Sequence, residues 1–111
     1  MTAPWPIRGV MLDPARLTER FDFYRDLIPD LAAWGYNTIL LHLFDDEGSA
    51  ILLDHPLMLP TQGAFSVAQW REWVKLADDH GIQVIPEVEC LGHAGFESRW
   101  GCHFFRSFNC T

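Results

Sequence analysis

Acidic side chains and one histidine follow the apolar segments of this 111-residue sequence. These residues are Asp13, Asp45, Asp46, Glu87, Glu89 and His93. Two neighbouring carboxyl groups can divide acid and base roles, for example on a glycosidic bond, because burial and like-charge repulsion separate their pKa values. A histidine beside a carboxylate can relay a proton. The alternative interpretation of Asp45 and its neighbours is a solvated acidic turn.

Two further residues are candidates for polar roles. His42 lies inside an apolar segment, which favours a buried histidine hydrogen-bonded to a neighbouring strand over a catalytic one. Arg16 follows Asp13 and Pro14 at the expected start of a helix, where a positive charge opposes the helix dipole. This placement indicates a ligand or a carboxylate partner for Arg16, and a surface salt bridge is the alternative.

Strands and helices alternate among the elements that must position these groups. Apolar runs at 8–12, 38–44 and 82–86 predict three strands, and the run at 38–44 is typical of a strand buried on both faces. Helical spacing between the runs predicts two helices. Parallel strands joined by right-handed crossovers have their carboxyl ends at one rim. The sequence therefore predicts an α/β fold whose acids and His93 converge at that rim.

The first predicted helix begins at Thr18, an N-cap residue, and ends at Gly35. Pro29 lies inside this helix and cannot donate a hydrogen bond to the Arg25 carbonyl, so we expect a kink or a restart there. Trp34 has helical spacing with the other apolar residues of this segment, and we expect it in the core.

The second predicted helix begins with a capping box formed by Ser66 and Gln69 and ends at Gly81. Trp70 and Trp73 share its apolar stripe and are expected in the core. A loop of about twenty residues precedes this helix, and loops of that length are usually functional.

Composition excludes several classes of partner. The net charge is −7, from 8 Lys and Arg against 15 Asp and Glu, without a basic cluster, so nucleic acid and anionic membranes are not expected partners. No apolar run approaches the about 18 residues that span a bilayer, and no signal peptide is evident, so we expect a cytoplasmic protein. Cys90, Cys102 and Cys110 fit neither a disulfide framework nor a zinc pattern.

Three motifs resemble the first three strand ends of the family 20 glycoside hydrolases, the β-N-acetylhexosaminidases. They are RGVMLDPAR at 8–16, HLFDD at 42–46 and PEVECLGH at 86–93, in that family's order. The resemblance implies a partial (β/α)8 TIM barrel with three βα units of parallel strands in residues 1–96. We expect residues 97–111 to be an irregular tail, either a connection or a segment foreign to the natural chain.

The resemblance also implies residue roles and an activity. Arg16 matches an arginine that binds hydroxyls of the terminal sugar, and Asp46 and Glu89 complete the expected substrate-binding set. Asp45 and His93 match an Asp and a His that support the catalytic Glu. The family hydrolyses terminal N-acetylhexosamine with the substrate's acetamido oxygen as nucleophile, and no cofactor is implied. Its catalytic Asp-Glu pair is absent from this sequence, so we expect the chain alone to be inactive.

Two other functions stay open at this point. One is a small non-catalytic α/β module that binds a carbohydrate or a protein. The other is a divalent metal site at Asp45, Glu87, Glu89 and His93. We expect Glu87 and Glu89 to project to opposite faces of the third strand, which disfavours the metal site.

Overall fold

A computed structural model describes residues 5–54, 60–87 and 89. Three parallel strands, β1 (Gly9–Leu12), β2 (Thr38–His42) and β5 (Gln83–Glu87), form a sheet in the order β1-β2-β5. Helix α1 (Phe21–Ala33) connects β1 to β2, and helix α2 (Val67–Asp79) precedes β5. The predicted α/β class, the three parallel strands and the two helices are confirmed.

Both helices pack against one face of this sheet. Ile39 and Leu41 of β2 lie in a single buried cluster with Ile28 of α1 and Trp73 of α2. The opposite face has a row of apolar side chains in register, because Met11 pairs with Leu40 and Leu40 pairs with Ile85. These three residues are exposed. The sheet therefore has one face covered by helices and one exposed apolar face.

Helix α1 departs from the sequence prediction at its start. Its N-cap residue is Arg20, which is extended and makes no side-chain capping bond, so the assignment of Thr18 as N-cap is wrong. The Thr18 hydroxyl instead donates to the Pro14 carbonyl and lies 3.0 Å from the Thr61 hydroxyl. A turn formed by residues 14–16 separates β1 from the helix, and this turn delays the first helical residue to Phe21.

The remaining part of α1 is one continuous helix. The expected restart at Pro29 does not occur, because Pro29 and Arg25 are both exposed and water can serve the carbonyl that the proline leaves without a donor. Gly35 ends the helix as predicted, with a φ of 87°. Trp34 is 68% exposed. The expectation that Trp34 lies in the core is therefore wrong, because Trp34 is the C-cap residue and lies beyond the packed turns.

Helix α2 agrees with the sequence prediction. The Ser66 hydroxyl accepts from the Gln69 amide at 3.2 Å, and the Gln69 side chain accepts from the Ser66 amide at 2.9 Å. Trp70 and Trp73 are buried, and their indole N–H groups donate to the carbonyls of Ala50 at 3.0 Å and Tyr24 at 2.8 Å. Trp73 thereby joins α2 to α1.

The long segment between β2 and α2 is not a structureless loop. It holds strands β3 (Ser49–Leu52) and β4 (Pro60–Ser66), which pair in parallel as a separate two-stranded sheet. Neither strand alternates cleanly between apolar and polar residues, so no strand was predicted there. Ala50 of β3 is fully buried. This small sheet therefore packs on the core instead of lying free above the rim.

None of the helices in the described part of the chain is long and apolar enough to cross a membrane. The irregular tail predicted at 97–111, together with Cys90, Cys102 and Cys110, lies outside the described residues.

Candidate active site

Polar side chains converge where the three parallel strands end. Asp13 follows β1, Asp45 follows β2, and Glu87 is the last residue of β5. His42 at the end of β2 pairs in register with Glu87. The predicted convergence at one rim is confirmed for these described residues, because parallel strands end on the same side of the sheet.

Asp45 is the most buried acid of this rim, and its side chain has no exposed area. Its Oδ1 accepts from the amides of Glu47 at 2.7 Å and Gly48 at 3.3 Å. Its Oδ2 lies 3.1 Å from His42 Nε2 and 2.9 Å from Arg16 Nε. A carboxylate needs several donors to remain ionised in a buried site, and Asp45 has four.

His42 is the second buried group, with 2% of its surface exposed. Its Nε2 faces Asp45 Oδ2, and its Nδ1 lies 3.1 Å from Glu87 Oε2. The expectation of a buried histidine bonded to a neighbouring strand is confirmed, because Glu87 belongs to β5. The structure adds a role that the sequence did not assign, since His42 connects the acids of two strand ends.

These contacts determine the charge of both groups. Burial lowers the pKa of His42, but the hydrogen bonds to Asp45 and Glu87 outweigh burial and raise that pKa above its usual value. Burial raises the pKa of Asp45, but the bonds from His42 and from the Glu47 and Gly48 amides, with the charge of Arg16, hold it below its usual value. The site therefore favours an imidazolium beside a carboxylate.

Arg16 lies in the turn between β1 and α1, and its side chain is 36% exposed. Its Nη1 contacts Asp13 Oδ2 at 3.2 Å, and its Nε contacts Asp45 at 2.9 Å and Glu47 at 3.9 Å. Arg16 thus has the carboxylate partners that its sequence position indicated. Because the side chain remains partly exposed at the rim, Arg16 can also meet a ligand there.

Glu89 also reaches His42, since its Oε1 lies 4.0 Å from His42 Nδ1. The expectation that Glu87 and Glu89 point to opposite faces is wrong, because residues two apart in extended backbone share a face. The donor atoms of His42, Glu87 and Glu89 lie within 4.8 Å of one another, so these residues could offer three ligands to a divalent ion. The contact between His42 and Glu87 is already explained by their hydrogen bond.

The remaining two predicted site residues are Asp46 and His93. Asp46 follows Asp45 at the rim and is half-buried, with its Oδ1 atom fully enclosed. His93, the predicted relay histidine, lies outside the described residues. The described part of the predicted relay is therefore Asp45, which here pairs with His42.

The small sheet supports the turn that carries Asp45. The Asp45 amide donates to the Gly48 carbonyl at 3.0 Å. Gly48 in turn contacts the Thr61 side chain so closely that a Cβ atom would overlap Thr61 Cγ2. The Thr61 hydroxyl donates to the Ser49 carbonyl at 3.1 Å. No sequence pattern predicted this support, and the local signal was a glycine directly after three acids.

Comparisons with known proteins agree with this arrangement. Residues 5–101 match the catalytic domain of glycosyl hydrolase family 20. A β-hexosaminidase of Vibrio furnissii is 32% identical in a match that covers 78% of this chain and 18% of that protein. A chitooligosaccharidolytic β-N-acetylglucosaminidase of Bombyx mori is 30% identical in a match that covers 82% of this chain and 16% of that protein.

Solved structures give the same result. A chitobiase of Flavobacterium johnsoniae matches with a TM-score of 0.73 and 34% identity, over 81% of this chain and 14% of that one. A family 20 β-N-acetylhexosaminidase of Streptomyces coelicolor matches with a TM-score of 0.72 and 26% identity, over 84% of this chain and 21% of that one. The chain therefore spans about a fifth or less of the length of these relatives, and its open sheet corresponds to part of their TIM barrels.

Proposed function

Because the chain belongs to glycosyl hydrolase family 20, we propose that it forms the first three βα units of a β-N-acetylhexosaminidase barrel and binds a terminal N-acetylhexosamine. The relatives named above are hexosaminidases and N-acetylglucosaminidases. Active sites of TIM barrels lie at the carboxyl ends of the strands. The rim that carries Arg16 and Asp45 is that end of the sheet.

The observation that carries this proposal is the placement of Arg16. Its guanidinium is fixed by the buried carboxylate of Asp45 at 2.9 Å and by Asp13 at 3.2 Å, yet the side chain is 36% exposed. A guanidinium held in this way has little conformational freedom to lose when it binds. Its planar set of N–H donors suits two adjacent sugar hydroxyls at once.

The other rim residues have supporting roles in this proposal. Asp46 and Glu89 complete the substrate-binding set and accept hydrogen bonds from sugar hydroxyls. Asp45 holds Arg16, and together with His93 it supports the acid that protonates the leaving oxygen. No Gly-Asp-Glu sequence occurs in the 111 residues. We therefore propose that the chain binds the sugar but does not hydrolyse a glycoside by itself.

The test is a titration of the isotope-labelled chain with N-acetylglucosamine, followed by NMR. We expect saturable shifts of the Arg16 side-chain and Asp46 amide signals, while Gly35 and Gly81, at the opposite end of the sheet, stay unchanged. A chromogenic N-acetyl-β-glucosaminide should not be hydrolysed. Shifts absent from the rim, or confined to the opposite end, would contradict the proposal.

Arg16→Lys and Arg25→Lys form a matched pair for this test. Arg25 is an exposed arginine on α1 that pairs with Asp22 at 3.0 Å, away from the rim. Both substitutions keep the charge and remove the planar donor set. Only Arg16→Lys should abolish the shift of the Asp46 amide signal. Equal responses from both variants would indicate non-specific binding and would leave the non-catalytic binding module as the better account.

A further inference from the structure

His42 is buried, and both of its ring nitrogens face carboxylates. Nε2 lies 3.1 Å from Asp45 Oδ2, and Nδ1 lies 3.1 Å from Glu87 Oε2. A neutral imidazole has one N–H and can donate to only one of them. Two carboxylate partners are therefore best satisfied by an imidazolium, which donates to both.

This imidazolium joins the ends of two neighbouring strands. Asp45 lies in the turn after β2, and Glu87 is the last residue of β5. The position of Asp45 matters beyond its own charge, because the same Oδ2 atom that accepts from His42 also accepts from Arg16. Any shift of Oδ2 is thus passed on to the guanidinium.

Four carboxylates around His42 favour its imidazolium form. Glu87 and Glu89 face Nδ1 from β5 and the residues after it, Asp45 faces Nε2, and the charge of Asp13 acts from the end of β1. Arg16 is a cation of the same rim, and its Nε contacts the Asp45 Oδ2 atom that also faces His42. The imidazolium is therefore surrounded by anions from all three strands.

We propose that His42 is a positioning residue of the sugar site: its imidazole bridges Asp45 and Glu87, and so fixes the carboxylate that aims Arg16 at the sugar. The identity of the ligand in this role rests on the proposed function. The geometry of the role rests on the contacts described above. His42 itself does not contact the sugar. It acts on affinity only through Asp45 and Arg16.

The experiment compares His42→Gln with the wild-type chain and with His80→Gln. His80 is an exposed histidine at the C-cap of α2 and serves as the matched control. NMR follows the ring nitrogens of His42 and the Nε–H signal of Arg16 without sugar, and calorimetry gives the affinity for N-acetylglucosamine. The indole signals of Trp70 and Trp73 report whether the fold is intact.

We expect both ring nitrogens of His42 to be protonated in the wild type below the usual pKa of 6.5. His42→Gln should shift the Arg16 Nε–H signal, speed its exchange with water and weaken sugar binding about tenfold, which corresponds to about 1.4 kcal/mol. His80→Gln should change none of these. An unchanged Arg16 signal and an unchanged affinity in folded His42→Gln would overturn the proposal.

Glu87→Gln keeps the test decisive if His42→Gln does not fold. Glu87 is partly exposed, so this substitution removes one anion without opening the core. It should move the His42 ring signals and the Arg16 Nε–H signal, and an unmoved Arg16 signal would overturn the proposal. If the wild type binds no sugar but the Arg16 signal responds, the proposed function fails and the bridge stands. If sugar binding depends on Arg16 but not on His42, only the positioning role fails.

Discussion

His42 Nε2 and Asp45 Oδ2 lie 3.1 Å apart, and both side chains are buried. The two residues are only three positions apart in the sequence, and they meet because the chain turns directly after β2, where the Asp45 amide donates to the Gly48 carbonyl. A histidine and a carboxylate therefore meet inside the protein at a strand end. Each one stabilises the charged form of the other.

This pair predicts a pH window for stability. The pKa of His42 is raised, so its contribution to the free energy of unfolding is complete below its unfolded value of 6.5 and is lost as the pH rises through the folded pKa. The pKa of Asp45 is lowered, so its contribution is complete above 3.8 and is lost as the pH falls through the folded pKa. The pair should stabilise the chain most between these values.

Urea unfolding at a series of pH values measures this dependence. The loss of stability above 6.5 should be smaller in His42→Gln, because the variant has no imidazolium to deprotonate. His80→Gln should keep the wild-type curve. If His42→Gln lost stability over the same range and by the same amount as the wild type, another group would be responsible.

A side chain at position 48 should destabilise the fold by steric overlap. A Cβ atom at this position would overlap Thr61 Cγ2, and overpacking of this kind typically costs about 1–3 kcal/mol. Gly48→Ala should therefore lower the free energy of unfolding by about that amount. Gly9→Ala is the control, because its Cβ would meet Thr38 at an ordinary 3.6 Å.

A second substitution tests the cause of that effect. Thr61→Ser removes the methyl group and keeps the hydroxyl that bonds Ser49. The double variant of Gly48→Ala with Thr61→Ser should recover most of the stability that Gly48→Ala loses. Additive losses in this double-mutant cycle would show that the two positions do not interact.

Trp73 and Trp34 should differ strongly in their contributions to the free energy of unfolding. Trp73 is buried, and its indole donates to the Tyr24 carbonyl at 2.8 Å, whereas Trp34 is exposed. Trp73→Phe removes this hydrogen bond and part of the buried ring system, and it should cost about 2 kcal/mol. Trp34→Phe should change the free energy of unfolding by less than about 0.5 kcal/mol. Equal costs in urea unfolding would contradict the described packing.

The sequence predicted those elements whose signal is local. Continuous apolar runs located all three strands of the main sheet, and the Ser66–Gln69 capping box located the start of α2. Periodicity misplaced Trp34, because spacing alone does not tell where the last packed turn ends. Periodicity also missed strands β3 and β4, because these strands are stabilised by tertiary contacts such as the hydrogen bond from Trp70 to Ala50.

The site was predicted in outline, because strand order alone brings Asp13, Asp45 and Glu87 to one rim. The role of His42 could not be read from its own segment, since it depends on register with Glu87, a residue 45 positions later. The relation of Glu87 to Glu89 could have been predicted, because a separation of two residues places both side chains on one face of an extended chain.

The affinity of the chain for N-acetylglucosamine, measured by calorimetry with wild type and Arg16→Lys, tests the central claim most directly. That claim is that an arginine fixed by Asp45 at the strand ends binds the sugar. Hydrogen bonds to a charged group contribute about 1.5–3 kcal/mol, so the account predicts binding by the wild type and at least about tenfold weaker binding by Arg16→Lys. Equal affinities, or a wild type that binds no N-acetylglucosamine, would contradict it.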